Sequence, residues 1–388
     1  MKFSFRKIFS PSNLLYALFL LLFTFFALEI ILRIFHPFYF TIKGNKLVLP
    51  VNMVYHTYNT NCPKLDAEVT CTKNAIGFRG AEKPKDFNKE LTILTIGGST
   101  TACSLLSDEY TWSYLLDKRL KENFNNEWLN NAGIDGASTF GHQMLLDDFV
   151  VTLKPKVIIF LVGANDVSRE DIGKEQGNLI AQNANWRTWI MRNSEVVNLF
   201  VNYMRSRAAQ KLNLGNKYME FATRDTFSLS DSVINKEILK QQALIPGYKS
   251  RLEKIIKTCR DNNIEPILVT QPSLAGFGID SATHINLATV STAYNGVAEA
   301  GPGWNGKEYW AVLQLFNKQT IETGKENNCF VIDMASKFPK NSTYYYDFIH
   351  YVNPGARKFA GVLSDELIPY LSHKYPTFTK TDRVLPAQ

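Results

Sequence analysis

Short apolar runs that alternate with longer helical patterns constrain the fold of this chain most strongly. Runs that contain β-branched residues, as buried strands do, cover residues 91–96, 157–162, 264–270 and 330–333, and a weaker second strand is predicted at residues 128–130. Helical patterns alternate with them at residues 108–124, 144–153, 246–260, 310–325 and 355–371, the first behind Asp108 as its expected N-cap. Because crossover helices connect parallel strands, this alternation predicts a three-layer α/β/α domain with a central parallel sheet over residues 91–372.

Two stretches interrupt the alternation, and we interpret both as insertions above the sheet. Residues 170–245 look largely helical, with Trp186, Trp189 and Phe200 on periodic faces, whereas residues 273–305 are rich in Gly, Ala and Ser without a clear period. Ligands of open α/β sheets bind at the carboxyl ends of the strands, so the insertions could border a substrate cleft. Ordinary packing is nevertheless the favoured role of each single aromatic side chain.

A long apolar run lies near the N-terminus. Residues 14–32 are apolar except for Thr24 and Glu29, and about 20 apolar residues cross the hydrocarbon core of a bilayer. Secretory signals have a shorter apolar stretch, of about 7–15 residues, followed by a small-residue cleavage site, which the sequence before Arg33 lacks. We therefore predict an uncleaved transmembrane helix at residues 13–33, with a buried hydrophobic helix as the alternative.

Positive charges indicate the orientation of this helix. Lys2, Arg6 and Lys7 precede it, which favours a cytoplasmic tail at residues 1–12. The rest of the chain would then lie in the periplasm or outside the cell, on a single-pass protein of the inner membrane. The other flank also carries cationic residues, which weaken this orientation: Arg33, Lys43 and Lys46.

Residues 34–90, rich in Tyr, Asn and Pro, are predicted to form a stalk, and residues 373–388 a C-terminal tail. Cys62 and Cys71 bracket a short polar loop in the stalk. Outside the cytoplasm a disulfide is permissible, so these two are the best candidate pair, with free thiols as the equal alternative. With five cysteines at least one stays unpaired. The others lie in or beside apolar runs and are expected to be buried: Cys103, Cys259 and Cys329.

Charge and histidine spacing exclude two classes of function. The chain has 43 Lys and Arg residues against 36 Asp and Glu, a net charge of +7, but no run of five like charges, so we predict no nucleic-acid-binding arm. The six histidines are scattered without the spacing of a metal site. No metal and no organic cofactor is therefore expected.

Small and polar residues follow the predicted strands at the points where the strands end. The segments are Gly97-Gly98-Ser99-Thr100, Asn131-Ala132-Gly133-Ile134-Asp135-Gly136 and Gly163-Ala164-Asn165-Asp166, and Asp347-Phe348-Ile349-His350 precedes the last helix. The carboxyl ends of parallel strands meet at one edge of a sheet, so these segments should lie close together. They would supply a hydroxyl, a base with a carboxylate, and several neutral donors.

Such a set could form a catalytic triad. A serine hydroxyl, here Ser99, needs a base to remove its proton, and a histidine does so best when a carboxylate fixes its tautomer. Asp347 and His350 are three residues apart and can lie on the same face of one turn. Attack on an ester places negative charge on oxygen, which the N–H groups of Ser99 and Gly136 and the amide of Asn165 could stabilise. Glycine at position 136 would let the backbone come close to the substrate.

Each motif alone has a more ordinary interpretation. Gly-Gly-Ser and Gly-x-Asn-Asp are usually turns, and Asp-x-x-His is often a helix start. The segment around Ser99 lacks the Gly-Lys-Ser/Thr ending of a phosphate loop, and Thr101 occupies the place of the second glycine of a nucleophile elbow. The ordered set, with its members at strand ends, carries the prediction.

The ordered blocks of residues 91–371 resemble those of the SGNH (GDSL-like) hydrolase superfamily. That family has Ser in its first block, Gly in its second, Asn in its third and Asp-x-x-His in its last. The resemblance implies that Ser99 is the nucleophile, that His350 is the base and that Asp347 orients it. It also implies that Ser99, Gly136 and Asn165 donate to the oxyanion.

Two further features bear on the resemblance. The usual Gly-Asp-Ser of the family is Gly97-Gly98-Ser99 here, so Gly98 replaces an aspartate that is not the catalytic one. Residues 74–80 and the end of the apolar run at residues 29–33 look like membrane-tethered bacterial members, some of which act on acylated surface polysaccharides.

These observations leave three functional hypotheses. The first is a membrane-anchored serine esterase that removes acyl groups, acetyl among them, from a carbohydrate or other ester through an acyl-serine. The second is an O-acyltransferase that uses the same serine to modify a polysaccharide. The third is a non-catalytic carbohydrate-binding or assembly protein, against which the intact Ser99, Asp347 and His350 argue.

Overall fold

The computed structural model describes residues 11–35, 42–43, 46–60, 62–168, 186–211, 218–292 and 304–380. The predicted cytoplasmic tail up to residue 10, parts of both predicted insertions and the last residues of the predicted C-terminal tail lie outside the described residues.

The described strands form one large sheet and two small ones. They are β1 (Ile42–Lys43), β2 (Lys46–Leu47), β3 (Met53–Tyr58), β4 (Glu68–Lys73), β5 (Arg79–Gly80), β6 (Leu91–Gly97), β7 (Glu127–Asn131), β8 (Val157–Val162), β9 (Glu265–Thr270) and β10 (Phe330–Ile332). The large sheet has the order β10-β9-β8-β6-β7-β5. Its five longer members are parallel, and β5 is antiparallel to β7.

This strand order contains a topological switch point. From the central β6 the chain moves to β7 on one side and then returns to β8 on the other side. Neighbouring connections therefore leave in opposite directions between β6 and β8, which opens a crevice at the carboxyl ends of these two strands. The segments that contain Ser99 and Asn165 follow β6 and β8 and so lie at this crevice.

The helices cover both faces of the sheet. They are α1 (Pro11–Phe35), α2 (Ser99–Ala102), α3 (Trp112–Asn123), α4 (Thr139–Leu145, continued by a π-helical turn at Leu146–Val150 and by Val151–Leu153), α5 (Trp186–Asn193), α6 (Glu195–Lys211), α7 (Asp231–Gln242), α8 (Ile245–Asp261), α9 (Gly306–Glu326), α10 (Met334–Lys337) and α11 (Asn353–Lys374). Short 3₁₀ turns lie at Phe87–Lys89, Asp108–Tyr110, Ala164–Asp166, Phe221–Thr223, Ser342–Tyr344 and Pro376–Phe378.

Alternate residues of the central strands feed two separate hydrophobic cores. In β8, Val157, Ile159 and Leu161 pack with side chains of α3 and α11, whereas Ile158 and Phe160 pack with side chains of α4, α8 and α9. Every residue of β6 and β8 is buried, which explains why these strands read as continuous apolar runs. The predicted three-layer α/β/α domain with a mostly parallel central sheet is confirmed.

Two helix starts differ from the prediction. The helix expected behind Asp108 begins at Trp112, and its N-cap is Thr111, whose hydroxyl accepts from the Tyr114 N–H. Asp108 binds the Arg79 guanidinium instead, 2.7 Å from Nε. The helix expected from residue 144 begins at Thr139 because Ser138 caps a first turn that lacks an apolar period.

The second half of the predicted stalk belongs to the folded domain. β3 and β4 form an antiparallel hairpin, and β5 extends the central sheet along β7. Phe78, Arg79 and Phe87 are buried, so the description of residues 34–90 as a stalk is wrong for this part. The predicted C-terminal tail also begins inside the fold, since α11 runs to Lys374 and Phe124 bridges to Thr379.

All five cysteines lie in the described part of the chain and are free thiols. Cys71 sits in β4 opposite Tyr55, and Cys62 packs into the core beside Leu65. The two residues of the candidate disulfide are therefore placed in different environments and are not joined. The expectation that Cys103, Cys259 and Cys329 are buried is confirmed.

The described part of the helical insertion contains α5, α6 and α7. Packing was the favoured role of Trp186, Trp189 and Phe200, yet all three side chains are exposed. Within the described residues one helix, α1, is long and apolar enough to cross a membrane, and a signal sequence would pass the same test.

Candidate active site

Ser99 is the first residue of α2, directly after the last residues of β6. Its hydroxyl oxygen lies 2.7 Å from His350 Nε2, although the two residues are far apart in the chain. His350 Nδ1 in turn lies 2.6 Å from Asp347 Oδ2. The structure thus brings the predicted hydroxyl, imidazole and carboxylate into one hydrogen-bonded series.

Asp347 is fully buried and its carboxylate is held by the local backbone. Oδ1 accepts the N–H groups of Ile349 at 2.9 Å and His350 at 2.7 Å, which leaves Oδ2 directed at the imidazole. Asp347 and His350 both lie in the loop before α11. With Nδ1–H donated to Asp347, Nε2 of a neutral His350 is the acceptor for the Ser99 hydroxyl.

The electrostatic surroundings favour the protonated imidazole. Burial lowers the pKa of His350, but attraction by Asp347 and the hydrogen bond between them outweigh it, with a further contribution from Asp135. The net effect is a pKa of His350 above its ordinary value. An imidazole with a raised pKa holds a proton more firmly than a free histidine does.

Aromatic packing and the insertions hold the His350 loop in place. The Tyr346 ring stacks on the imidazole with a centroid distance of 5.3 Å, and its N–H donates to the His350 carbonyl. Met219 donates its N–H to Tyr346 O, and Phe221 packs edge-on against Phe348. Both flanking aromatics of this loop are therefore contacted by the insertion that was predicted to border the site.

Gly136 follows β7 and has a φ of +75°. No atom lies within 4 Å of the place that a Cβ would take there. The left-handed backbone conformation favours glycine at this position, and the space beside it is open. Asp135 beside it accepts the Ser104 hydroxyl at 2.7 Å.

Asn165 lies in the 3₁₀ turn after β8, which begins behind Gly163 at a φ of +110°. Its Nδ2 donates to Ala137 O at 3.0 Å, which ties the segment after β8 to the segment after β7. Asn165 and Ser99 line one small cavity, together with Ala137, His142, Gln271 and Ile349. Burial lowers the pKa of His142 to about 4, so this second imidazole is neutral at physiological pH.

A serine hydroxyl, an imidazole and a side-chain amide therefore lie close together beside one cavity. A sequence profile of the GDSL-like lipase/acylhydrolase family matches residues 95–358, which include all of the predicted site residues. The chain belongs to the GDSL-like lipase/acylhydrolase family. The predicted resemblance to SGNH hydrolases is confirmed, and the protein is a serine ester hydrolase of that type.

Three solved structures that can be superposed on this chain share little sequence identity with it. An acetyl xylan esterase, AlAXEase, is 16% identical with a TM-score of 0.37, covering 70% of this chain and 98% of its own. TesA is 13% identical with a TM-score of 0.38, covering 72% and 98%. A catalytic mutant of Axe2, an acetylxylan esterase from Geobacillus stearothermophilus, is 11% identical with a TM-score of 0.39, covering 71% and 92%. No curated protein matches the sequence. The family assignment rests on the sequence profile.

The departure of this chain from the usual Gly-Asp-Ser of the GDSL-like family has a steric reason. A Cβ on Gly98 would lie 2.1 Å from Asn165 Nδ2 and 3.1 Å from Ala137 O. The amide of Asn165 thus occupies the space in which a side chain at position 98 would begin. The observed position of the Asn165 amide therefore requires a residue without a Cβ at position 98.

A buried ion pair that the sequence analysis did not assign supports Asn165. The Asp166 carboxylate accepts the Thr139 hydroxyl at 2.5 Å and the Arg251 guanidinium at 3.2 Å. The pKa of Asp166 is raised above its ordinary value because burial outweighs the contacts with Thr139 and Arg251, which lower it. The sequence contains a signal for this ion pair, because the last residue of the Gly-x-Asn-Asp motif is an aspartate that the structure buries.

Arg79 is a second residue whose role the sequence analysis missed. Its guanidinium donates to the carbonyl oxygens of Ala102 at 2.6 Å, Cys103 at 3.0 Å and Leu106 at 2.8 Å. These carbonyls belong to the last residue of α2 and to the segment directly after it, and the first residue of α2 is Ser99. The similarity of residues 74–80 to tethered members of the family was noticed, but nothing in the sequence indicated contact with α2.

Proposed function

We propose that this chain is a membrane-anchored serine esterase that hydrolyses short acyl esters, such as acetyl, on a carbohydrate through an acyl-serine intermediate. The observation that carries the proposal is the hydrogen-bonded series from Ser99 through His350 to Asp347, with spacings of 2.7 and 2.6 Å. This order of groups is the one that nucleophilic ester cleavage requires.

Acylation would begin with attack by Ser99 Oγ on the ester carbon. His350 Nε2 takes the hydroxyl proton as the new C–O bond forms, and the carbonyl oxygen becomes an oxyanion. When the intermediate collapses, the bond to the alcohol breaks and His350 returns the proton to that alcohol. The products of this half-reaction are the free alcohol and an acyl-serine.

Deacylation would repeat these steps with water. His350 removes a proton from the water as its oxygen attacks the acyl carbon, and then returns the proton to Ser99 Oγ. Asp347 keeps the imidazole in one tautomer and stabilises the imidazolium that forms twice in each cycle. No redox step or external co-reactant besides water is needed.

The proposed donors to the oxyanion are the N–H groups of Ser99 and Gly136 and the side-chain amide of Asn165. Ser99 begins a helix, where N–H groups point outward along the helix axis. Asn165 lines the same cavity as Ser99, and its amide is fixed against Ala137 O. Donors that are fixed before the reaction stabilise the oxyanion without reorganisation.

The lining of the cavity supports a short acyl group. Gly98, Ala137, Gly163 and Ala164 form much of it, and Ile349 contributes its larger apolar side chain. Ser99 and His350 are themselves nearly buried. The free volume of about 10 Å³ leaves no room for a long acyl chain, and even an acetyl group would require nearby side chains to move. A bulky alcohol such as a sugar would remain outside. The carbohydrate itself is proposed from the resemblance to tethered members of the family.

The anchoring part of the proposal is supported by α1. This helix has 25 residues, and at about 1.5 Å per residue it exceeds the roughly 30 Å of a hydrocarbon core. No residue of it is buried, although its side chains are strongly apolar. With Lys2, Arg6 and Lys7 on the cytoplasmic side, the catalytic domain would face the periplasm or the exterior.

The proposal is tested by Ser99→Ala in the full chain, with 4-nitrophenyl acetate as substrate. We expect kcat to fall by on the order of 10⁵-fold, while the melting temperature stays near that of the wild type. Ser336→Ala is the matched control, because its exposed hydroxyl bonds only the nearby Asp333 carbonyl. Equal turnover by Ser99→Ala and Ser336→Ala would refute the acyl-serine mechanism. Mass analysis of an added oligosaccharide distinguishes hydrolysis from acyl transfer.

A further inference from the structure

We propose that α5 and α6 form a second membrane contact, whose aromatic face lies in the headgroup region of an anionic bilayer beside α1. The inference rests on the proposed anchoring by α1 and goes beyond it. It assigns a lipid surface as the partner of a helical pair that has no role in the catalytic site.

The pair exposes large aromatic side chains that a water-facing surface would rarely carry together. The exposed fractions are 68% for Trp186, 66% for Trp189, 64% for Phe200 and 56% for Tyr203. Met204 beside them is also exposed. Several exposed large apolar side chains on one helical pair are typical of a contact with a protein or a membrane.

These side chains are arranged in helical stripes. Trp186 and Trp189 are three residues apart in α5, and Phe200, Tyr203 and Met204 follow the spacing i, i+3, i+4 in α6. The opposite side of each helix is covered, since Thr188 and Asn198 are buried. Each helix therefore presents one apolar face, as helices that lie in a membrane interface do.

Continuity with α1 identifies the bilayer as the occupant of this face. The Glu29 carboxylate of α1 accepts the Ser194 hydroxyl at 2.8 Å and the N–H groups of Glu195 at 2.9 Å and Val196 at 3.1 Å. Glu29 thus caps the first turn of α6. If α1 spans a membrane, this cap holds the start of α6 near the end of the span.

Additional contacts fix the same junction. Arg33 pairs with Glu29 at 2.7 Å and also donates to the Asn193 carbonyl between α5 and α6. Lys43, which follows α1 in the chain, pairs with Glu195. Of the four partly covered residues of α1, three share one helical face, Phe25, Glu29 and Leu32, and the fourth is the small Ala27. The pair and the apolar helix are therefore joined by several charged contacts.

Charge in the helical pair matches an anionic lipid surface. Residues 186–211 contain five Arg and Lys residues against the single Glu195, which is already paired with Lys43. Arg187 lies over the Trp186 ring at 5.4 Å, and Arg207 over the Tyr203 ring at 6.0 Å. A cationic group beside an aromatic ring suits the membrane interface, where the ring meets the acyl chains and the cation meets phosphate.

Tryptophan quenching by brominated lipids tests this contact in the full chain. The protein is reconstituted into vesicles of phosphatidylcholine and phosphatidylglycerol that contain dibromo-phosphatidylcholine. α1 contains no tryptophan, so an interfacial signal would come from α5. We expect strong quenching of the wild type, greater for bromines near the headgroup than for bromines deep in the chains.

The variant Trp186→Phe/Trp189→Phe should lose most of this quenching. Trp304→Phe is the matched control and should retain it, because Trp304 is a half-buried residue of the catalytic domain that packs against Tyr309. Equal, weak quenching in the wild type and the double variant would overturn the proposal. In vesicles of phosphatidylcholine alone we expect weaker quenching of the wild type than in the anionic vesicles. Equal quenching in both kinds of vesicle would overturn the attraction of the arginines to anionic lipid.

Two separate readouts distinguish this inference from the proposed function. Resistance to extraction by alkaline carbonate reports the anchoring by α1, and hydrolysis of 4-nitrophenyl acetate reports the esterase. Protein that is resistant and active but not quenched would contradict only the contact by α5 and α6. Protein that is quenched yet extractable would retain this contact and contradict the anchor.

Discussion

The amide nitrogen of Asn165 lies 2.1 Å from the place that a Cβ on Gly98 would take. The segment after β8 therefore interlocks with the segment that presents Ser99. A third segment takes part, because the same amide donates to Ala137 O. The Asn165 side chain thus contacts the segments after all three strands, and a side chain at position 98 would disturb these contacts.

Replacing Gly98 by alanine should therefore impair catalysis more than stability. Because the added Cβ displaces the Asn165 amide, we expect kcat for 4-nitrophenyl acetate to fall by about 10²-fold, as when one oxyanion donor is lost. Gly361→Ala is the control, since its Cβ would meet Arg119 only at an ordinary 3.5 Å. Wild-type kcat in Gly98→Ala would show that the Asn165 amide is not a donor to the oxyanion.

The pH dependence of hydrolysis should reflect the contact between His350 and Asp347. Hydrolysis needs neutral His350, whose pKa is raised because Asp347 outweighs the effect of burial. As pH falls through this pKa, kcat/KM should decline, with a midpoint above the ordinary histidine value of about 6.5. A midpoint below that value in the wild type would contradict the assignment of His350 as the base.

Asp347→Asn should change both the rate and this midpoint. Without the carboxylate, burial lowers the pKa of the imidazole and only the smaller attraction by Asp135 opposes it, so the midpoint should move to lower pH. The value of kcat should fall by on the order of 10⁴-fold because the tautomer is no longer fixed. Asp135→Asn is the control, since Asp135 is exposed and contributes less to the pKa of His350. A profile of kcat/KM against pH for the three proteins checks the prediction.

The same pKa shift has a consequence for stability. Because the pKa of His350 is higher in the folded chain than in the unfolded chain, its charge contributes to stability below the unfolded value, and this contribution is lost as pH rises through the folded value. Thermal melts of the wild type and His350→Gln, recorded across this range, should therefore converge at high pH. A difference that grows with rising pH would contradict the sign of the shift.

The sequence predicts those elements whose burial leaves an apolar pattern, and it does not predict those that depend on isolated polar contacts. The strand at Val157–Val162 was predicted with its observed bounds, because burial on both faces produces an unbroken apolar run. The start of α4 was missed, since Ser138 and Asp166 stabilise its first turn by polar contacts that have no period.

In the candidate site, too, some residues could be predicted from the sequence and others could not. Ser99, Asp347 and His350 could be brought together from the sequence, because parallel strand ends share one edge and the blocks occur in a recognisable order. The contacts of Arg79 could not, because they depend on β5, a strand of two residues without an apolar pattern. The exposure of Trp186 and Trp189 was also unforeseen, since a periodic apolar face looks the same whether protein or lipid covers it.

Removing the Asp166 carboxylate should destabilise the fold around Asn165. Asp166→Ala leaves the Arg251 guanidinium and the Thr139 hydroxyl without their buried acceptor, and breaking a buried pair costs about 3–5 kcal/mol. Urea unfolding of the full chain in detergent measures the change. Asp148→Ala, an exposed position in α4, should leave the free energy of unfolding almost unchanged. Equal effects of both substitutions would argue against a supporting role for Asp166.

Arg79→Lys should lower activity through α2, although Arg79 does not belong to the catalytic series. One ammonium group cannot reach the Ala102, Cys103 and Leu106 carbonyls and the Asp108 carboxylate together, as the planar guanidinium does. The end of α2 should then loosen, and Ser99 at its start should lose alignment with His350.

A reduced kcat with little change in KM is the expected signature of Arg79→Lys, because ground-state binding does not require this alignment. Arg119→Lys is the matched control, since Arg119 makes a single contact with the Ser364 hydroxyl, at 3.4 Å. Covalent labelling of Ser99 by a fluorophosphonate provides a second readout and should be slower in Arg79→Lys than in Arg119→Lys. Equal labelling rates in two folded variants would mean that the contacts of Arg79 serve stability alone.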